Sequence, residues 1–170
     1  MNASPHLDPG LPGIVGRIAQ ALGSAHFPTG ERAALRRMVP AQAPPLAFYR
    51  FALRYLPEGW DASPGLQKDW ITIVAGMALM SPGAHRPDRR LGTALAEAGY
   101  SEARLERLLA AEGDIRRTLL LRAARFLAAK GSPCNWVDAA QLLLTRDPDR
   151  REHVHRRIAS DFYQSLKTKK

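Results

Sequence analysis

The sequence predicts an all-α protein, a bundle of helices with no sheet. Alanine, leucine and arginine, which all favour helices, dominate its 170 residues. β-branched residues are sparse and never alternate with polar ones over the length of a strand. Glycine, proline and helix-capping residues divide the apolar periodicity into separate segments. Together these observations predict a helical bundle, with an N-terminal and a C-terminal helical lobe.

In the first half, each predicted helix is bounded by glycine or proline. Residues 1–13 are rich in both and are expected to be loosely ordered. Thr29 is expected to cap the second helix, with Glu31 in its first turn. Ser81-Pro82-Gly83 ends the fourth helix and Gly99 ends the fifth. The helices are predicted over residues 14–22, 30–39, 46–56, 66–80 and 89–98.

In the second half the helix starts are easier to predict, because each segment begins with a residue whose side chain can accept a hydrogen bond from backbone N–H groups. Ser101, Asp114 and Asn135 are expected to cap three helices. Asp147 is followed by Pro148, which suits the first position of a last helix. The four helices are predicted over residues 102–111, 115–130, 136–145 and 148–166.

Domain organisation and location are predicted from composition. We expect residues 1–28 to form a loosely ordered extension with one short helix, 29–98 an N-terminal helical lobe and 99–170 a basic C-terminal lobe.

The single Cys134 excludes an intramolecular disulfide and a cysteine-rich metal site. No apolar run reaches the ~18 residues of a membrane span, and no signal peptide is evident at the N-terminus. The protein is therefore expected to be soluble and cytoplasmic.

The charge of the chain points to a polyanionic partner. Arginine supplies 20 of the 25 cationic residues, and the formal net charge is +9. Residues 115–170 carry 13 Lys and Arg against 5 Asp and Glu, a surplus of +8, whereas the preceding residues carry 12 against 11. The planar guanidinium group binds phosphate oxygens through two parallel hydrogen bonds. Nucleic acid is thus the expected partner, contacted mainly by the C-terminal third.

Helical periodicity predicts which way the arginines point. On the last helix, Arg150 and Arg157 share a face with His153, and Arg32 and Arg36 lie one turn apart after Thr29. The buried stripe of the last helix is predicted to be Val154, Ile158, Phe162 and Leu166. On the helix over 115–130, the core side is predicted to hold Ile115, Leu119, Ala123, Phe126 and Leu127. The opposite, solvated side is predicted to hold Arg117, Arg122 and Arg125.

No pattern in the sequence supports catalysis. His153 and His155 are two residues apart and point away from each other on a helix, so they do not share a metal. No paired carboxylates or nucleophile with an adjacent base stand out. The three tryptophans, Trp60, Trp70 and Trp136, are interpreted as core residues. We therefore expect a protein that is not an enzyme and uses no cofactor or metal.

Three other functions are conceivable for a basic helical protein. A helical scaffold or adaptor would use the same basic faces to bind acidic proteins. A nucleotide hydrolase or transferase would need clustered carboxylates or metal ligands, which the sequence lacks. A helix-turn-helix regulator would need a recognition helix with the polar side chains that read base edges, and none is present.

Four sets of residues resemble the small subunit of the type I-E CRISPR surveillance complex Cascade, the CasB family. The first runs from Gly30 to Arg37 (GERAALRR) and continues at Ala47-Phe48-Tyr49-Arg50. The second is Leu91-Gly92-Thr93-Ala94-Leu95 followed by Glu102 to Leu109 (EARLERLL). The third is the pair Asn135-Trp136, and the fourth runs from Arg156 to Tyr163 (RRIASDFY). The resemblance covers residues 29 to 166.

This resemblance implies an all-helical, non-catalytic protein present in two copies, bound to the crRNA-carrying backbone and the large subunit. It implies antiviral defence by R-loop stabilisation, in which basic surfaces hold the displaced DNA strand and support the crRNA–target duplex. Cleavage would be left to a recruited nuclease. Matched onto this sequence and combined with the arginine stripes, it identifies ten candidate nucleic-acid-binding residues. They are Arg32, Arg36, Arg37, Arg116, Arg117, Arg122, Arg125, Arg150, Arg151 and Arg157.

Overall fold

A computed structural model of the protein describes residues 10–169, which form nine α-helices. In chain order they are α1 (Leu11–Gly23), α2 (Thr29–Arg36), α3 (Leu46–Tyr55), α4 (Pro64–Met80), α5 (Leu91–Glu97), α6 (Glu102–Ala110), α7 (Gly113–Ala129), α8 (Trp136–Leu144) and α9 (Pro148–Thr168). No strand forms among these residues, where His85 and Cys134 make one isolated β-bridge between two loops. The predicted all-α fold class is therefore confirmed. No helix within the described range is long and apolar enough to cross a bilayer.

Three of the predicted helix caps form as expected. The Ser101 hydroxyl accepts from the Arg104 N–H at 3.2 Å, and the Asn135 side chain accepts from the Val137 N–H at 2.9 Å. Asp147 accepts from the backbone N–H of Arg150 at 3.0 Å. Side-chain acceptors at these positions satisfy N–H groups that have no partner inside the helix, which explains why the three helices begin where they do.

Two other predicted caps are wrong. Pro28, in an extended conformation, precedes the first helical residue Thr29, so Thr29 lies inside α2 and makes no cap. Helix α7 begins one residue before Asp114, and the Asp114 carboxylate accepts from Arg117 at 2.7 Å instead of from a backbone N–H. The ion pair competes successfully with the cap because Arg117 is held in place by other bonds.

Helix α4 lies at the centre of the bundle and is buried on almost all sides. It packs against α7, α2, α8 and α1, and the buried side chains form one continuous core. Gly76 allows the Trp136 ring to lie directly against α4, since a Cβ at Gly76 would overlap that ring. Trp70 and Trp136 are core residues, and Trp60 packs edge-to-face on Phe48 with ring centroids 5.4 Å apart. The interpretation of the three tryptophans is confirmed.

Helix α1 also belongs to this core, since Val15, Ile18 and Leu22 are fully buried. The short helix expected within residues 1–28 thus forms at Leu11–Gly23. Residues 1–9, most of the segment expected to be loosely ordered, lie outside the described residues.

The last helix crosses α5 at very close range. Val154, Ile158 and Phe162 are buried as predicted, and Leu166 is half-buried. At the crossing, Gly92 faces the backbone of α9, where a Cβ would meet the carbonyl oxygen of Ile158.

The Asp138 carboxylate of α8 ties three helices together at this crossing. It accepts from the Leu91 N–H at the start of α5 (3.0 Å) and from the guanidinium of Arg157 on α9 (2.9 Å). Both carboxylate oxygens are used, and the Asp138 side chain is buried. The start of α5 is therefore capped by a residue distant in the chain.

Candidate nucleic-acid interface

Helix α7 is rotated relative to the sequence prediction. Ala123 and Leu127 are buried as expected, but Ile115 is 68% exposed, so its predicted place in the core is wrong. Arg117, predicted to face solvent, is buried at 7% exposure, and its neighbour Arg116 is buried at 6%. The prediction that Arg117 lies on a solvated face is therefore also wrong.

The cause is Asp69, which lies on the buried surface of α4. Arg117 donates from Nε to Asp69 Oδ1 at 2.7 Å and from Nη2 to the Gly65 carbonyl at 3.1 Å. With Nη1 bonded to Asp114, all three guanidinium nitrogens of Arg117 have partners. The second Asp69 oxygen accepts from Arg146 at 2.6 Å. A buried carboxylate needs such partners, and the requirement turns Arg117 inward.

The electrostatics of this group agree with its geometry. Burial raises the pKa of Asp69, and the Arg117 and Arg146 guanidiniums counteract that effect. Burial disfavours the charged form of Arg117, but its bonds to Asp69 and Asp114 outweigh this and raise its pKa. The hydrogen bond from Arg117 lowers the pKa of Asp114. Arg117 is thus a structural cation that joins α7 to α4.

Arg116 also belongs to the interior of the protein. It donates from Nε to the Ala111 carbonyl at 2.7 Å and from Nη1 to the Leu142 carbonyl at 3.2 Å. Burial and the nearby Arg151 lower the pKa of Arg116. Its donors satisfy carbonyls at the ends of α6 and α8, which have no partner inside their own helices.

Three more of the ten candidate arginines bind partners within the fold. Arg32 donates to the carbonyls of Leu22 (2.9 Å) and Ser24 (2.8 Å) at the end of α1. Arg157, besides its bond to Asp138, donates to the Gln141 side chain at 2.6 Å, so it too is not on a freely solvated face. Arg151 donates weakly to the Thr145 carbonyl at 3.4 Å and lies 4.0 Å from Glu112.

The other five candidates are exposed, and their side chains make no hydrogen bond or ion pair with the described residues 10–169. They are Arg36, Arg37, Arg122, Arg125 and Arg150. Because their donors are not used within this part of the chain, these side chains are the most available to phosphate oxygens.

Two of these five arginines lie on the exposed side of α7, and a third, Arg37, closely precedes the loop that packs against that helix. Thr118, Arg122 and Arg125 follow one another at helical spacing along the exposed side of α7. Arg125 lines a cavity of about 110 Å³ together with Asp114 and with Val39 and its neighbours in the α2–α3 loop. Arg37 lies two residues before Val39. We refer to Arg37, Arg122 and Arg125 as the α2–α7 basic face.

Arg150 lies elsewhere, on a groove of about 730 Å³ between α1 and the α8–α9 loop. Arg146, Arg157 and His153 also line this groove, together with Asp147 and Asp149. The two carboxylates offset part of the positive charge of this groove.

Arg146 and Asp69 are two polar residues of this buried group that were not predicted from the sequence. The sequence does carry a signal for Asp69, which is the only carboxylate in the segment 66–80 and directly precedes its mostly apolar part, so that a buried Asp69 would require a cationic partner. No comparable signal distinguished Arg146, because its loop position carries no periodicity.

Three side chains of the kinds that often do chemistry are buried or paired. Burial raises the pKa of the Cys134 thiol to about 12, which keeps it protonated and unreactive. Asp161 is paired with Arg90 at 3.1 Å. His85 accepts at Nδ1 from the backbone N–H of Trp136 at 3.0 Å. Among residues 10–169, no group of three or more His, Cys, Asp or Glu side chains is arranged to hold a metal ion.

Comparison with known proteins identifies the fold and the family. A chain of a solved CRISPR RNA-guided surveillance complex matches with a TM-score of 0.70 and 21% identity, covering 93% of this chain and 96% of that one. A chain of a second such complex, described as pre-nicking, matches with a TM-score of 0.66 and 23% identity, covering 93% and 94%. No curated protein sequence matches significantly. The family model of CRISPR-associated protein Cse2 matches residues 31–163, and the chain therefore belongs to the Cse2 family.

Proposed function

We propose that this protein is a non-catalytic subunit of a Cascade-type, CRISPR RNA-guided DNA surveillance complex, active in antiviral defence. In this role it stabilises the R-loop by holding the displaced DNA strand and supporting the crRNA–target duplex. Membership of the Cse2 family supports the assignment to such a complex. The solved chains of the same fold, found in RNA-guided surveillance complexes, support it as well.

The observation that carries the nucleic-acid role is the α2–α7 basic face. Arg37, Arg122 and Arg125 are exposed and unpaired within the described residues, so binding a phosphate requires no ion pair to be broken. Arginines spaced along a helix follow a phosphodiester backbone without reading its bases. We therefore revise the ten candidates and assign phosphate contact to Arg36, Arg37, Arg122, Arg125 and Arg150.

A modest contact is sufficient for this function. R-loop formation exchanges a DNA duplex for an RNA–DNA duplex of similar stability, so a few protein–phosphate contacts shift the balance. Most aromatic side chains are buried or half-buried, with Tyr49 and Tyr163 the more exposed ones. Electrostatic contact with the backbone, rather than base stacking, is therefore expected to dominate.

The test is the lifetime of the R-loop in a complex reconstituted with guide RNA and target DNA. Changing Arg37, Arg122 and Arg125 together to alanine should shorten that lifetime while leaving guide loading intact. The matched control removes three arginines that each pair with a carboxylate, Arg86, Arg90 and Arg156, and so changes the net charge by the same amount. An unchanged lifetime in the first variant, or an equal loss in both, would contradict the proposal.

The same experiment distinguishes the scaffold alternative. If the basic faces bind only acidic proteins, the first variant should leave the complex before any DNA is added, and the isolated protein should not retain DNA. Nuclease activity of the isolated protein that disappears on Asp161→Ala would contradict the non-catalytic assignment.

A further inference from the structure

The outward face of α3 is apolar, although it faces solvent. Leu46, Tyr49 and Leu53 recur at i, i+3 and i+7 and are 74%, 39% and 83% exposed. The opposite side of the same helix carries Phe48 and Phe51, which are buried in the core. A single exposed leucine is ordinary, but three large apolar side chains along one helix face form a continuous patch.

Two cations border this patch. Arg50 and Arg54 are exposed on α3 beside the three apolar side chains. Arg50 is bonded to Glu31 at 2.8 Å, and the Arg54 guanidinium lies 5.5 Å from the Tyr55 ring centroid. An apolar centre with a charged rim is the usual anatomy of a protein–protein interface.

The chemistry of the patch distinguishes between kinds of partner. Leucine offers no donor to a phosphate, so a nucleic-acid backbone would leave the centre of the patch unused. A two-fold symmetric contact centred on this patch would bring Arg50 and Arg54 of both copies into one interface, where their like charges repel. A different protein with an apolar surface and carboxylates at its edge would cover the three apolar side chains and form ion pairs with Arg50 and Arg54.

We propose that the outward face of α3, formed by Leu46, Tyr49, Arg50, Leu53 and Arg54, docks another protein subunit of the surveillance complex. The partner surface is apolar at its centre and carries carboxylates that face Arg50 and Arg54. This assignment rests on the proposed function, because it takes the partner from the same complex. It separates the protein-docking face from the α2–α7 basic face, which is left for nucleic acid.

The test uses the full chain, co-expressed with the other subunits of its complex and guide RNA. The double variant Leu46→Ser, Leu53→Ser should lower the fraction of this chain retained in the purified complex by about tenfold, as expected when an interface loses its central apolar contacts. Arg50→Glu combined with Arg54→Glu should lower it as well, and raised salt should reduce that loss, because it screens the repulsion between the new glutamates and the partner's carboxylates. Ile115→Ser, which removes another exposed apolar side chain, is the matched control.

Two further measurements keep the outcome unambiguous. Circular dichroism of the isolated Leu46→Ser, Leu53→Ser variant should match that of the wild type, and so should its affinity for single-stranded DNA. Normal retention of this variant, or equal loss with Ile115→Ser, would overturn the docking proposal while leaving the nucleic-acid role intact. A wild-type self-association that the variant abolishes would overturn it in favour of a second copy. A wild-type chain that neither joins the complex nor binds DNA would instead overturn the proposed function.

Discussion

Arg117 and Asp69 form a buried ion pair at 2.7 Å that joins α7 to α4 across the centre of the protein. The Arg117 side chain is 9% exposed and the Asp69 side chain 3%. An arginine that appears from the sequence to be part of a nucleic-acid interface thus stabilises the fold. The distinction matters for experiments, because loss of DNA binding in an Arg117 variant would report unfolding rather than a lost phosphate contact.

Arg117→Ala should destabilise the protein by about 3–5 kcal/mol, since it leaves the buried Asp69 carboxylate with one partner fewer. Arg122→Ala, on the same helix, should change the free energy of unfolding by no more than about 0.5 kcal/mol, because Arg122 is exposed and unpaired within residues 10–169. Urea denaturation followed by circular dichroism measures both. Equal stability of the two variants would mean that the pair is not part of the solution structure.

Removing the α2–α7 basic face should weaken DNA binding mainly at low salt. If Arg37, Arg122 and Arg125 each neutralise one phosphate, alanine at all three should reduce the slope of log affinity against log salt by about 2 on single-stranded DNA, or about 0.7 per arginine. Fluorescence anisotropy across a salt series gives this slope. The loss should be the same for different DNA sequences, and a strong sequence dependence would indicate base reading instead.

Gly92→Ala should destabilise the protein by about 1–3 kcal/mol, because a methyl group there overlaps the α9 backbone at Ile158 and α9 must move away. Gly16→Ala is the matched control, since it lies within α1 and no atom lies within 4 Å of an added Cβ. That control should stabilise the protein by about 0.4–1 kcal/mol through the unfolded state. Thermal unfolding should show a lower melting temperature for Gly92→Ala and a higher one for Gly16→Ala. A lower melting temperature for both variants would contradict the packing argument.

The stability of the protein should fall as the pH is lowered below about 6.5, the ordinary histidine pKa. Burial lowers the pKa of His85, and it also lowers that of His155. Between the lowered folded value and 6.5 the unfolded chain binds more protons, so the free energy of unfolding rises with pH across that window. Above pH 6.5 both histidines are neutral in the folded and the unfolded chain, and their contribution to stability is fully present. This contribution is lost as the pH falls from 6.5 through the lowered pKa values of the folded protein.

His85→Asn retains an acceptor for the backbone N–H of Trp136 but does not titrate in this range. This variant should therefore lose part of the pH dependence between 7.5 and 5.5, the rest coming from His155. Urea midpoints at several pH values measure the difference. A variant whose pH dependence equals that of the wild type would show that His85 takes up its proton equally in the folded and unfolded states.

Helix boundaries were predictable from the sequence because they depend on neighbouring residues. Ser101, Asn135 and Asp147 each cap the helix that follows them, and the interaction spans only two or three positions. The buried stripe of α9 was predictable for a similar reason, since Val154, Ile158 and Phe162 repeat every four residues without competition from charged residues at those positions.

The orientation of α7 was not predictable in the same way. Its apolar residues recur on more than one side, and the choice between burying Ile115 and burying Arg117 depends on Asp69, 48 positions earlier. Arg32 and Arg116 illustrate the same limit, because their partners are backbone carbonyls at the ends of other helices. Charge pattern thus identified the chemistry of the surface, whereas tertiary contacts decided which arginines belong to it.

The cap that Asp138 supplies to α5 has a consequence for the order of folding. A helix of seven residues is too short to persist by itself, and the Leu91 N–H at the start of α5 donates to Asp138, a residue 47 positions later. Its close neighbour, α9, is synthesised later still. We therefore expect α5 to become helical only after α8 and α9 have docked, which places its formation after the folding transition state. Mutations in α5 should then accelerate unfolding while leaving the folding rate nearly unchanged.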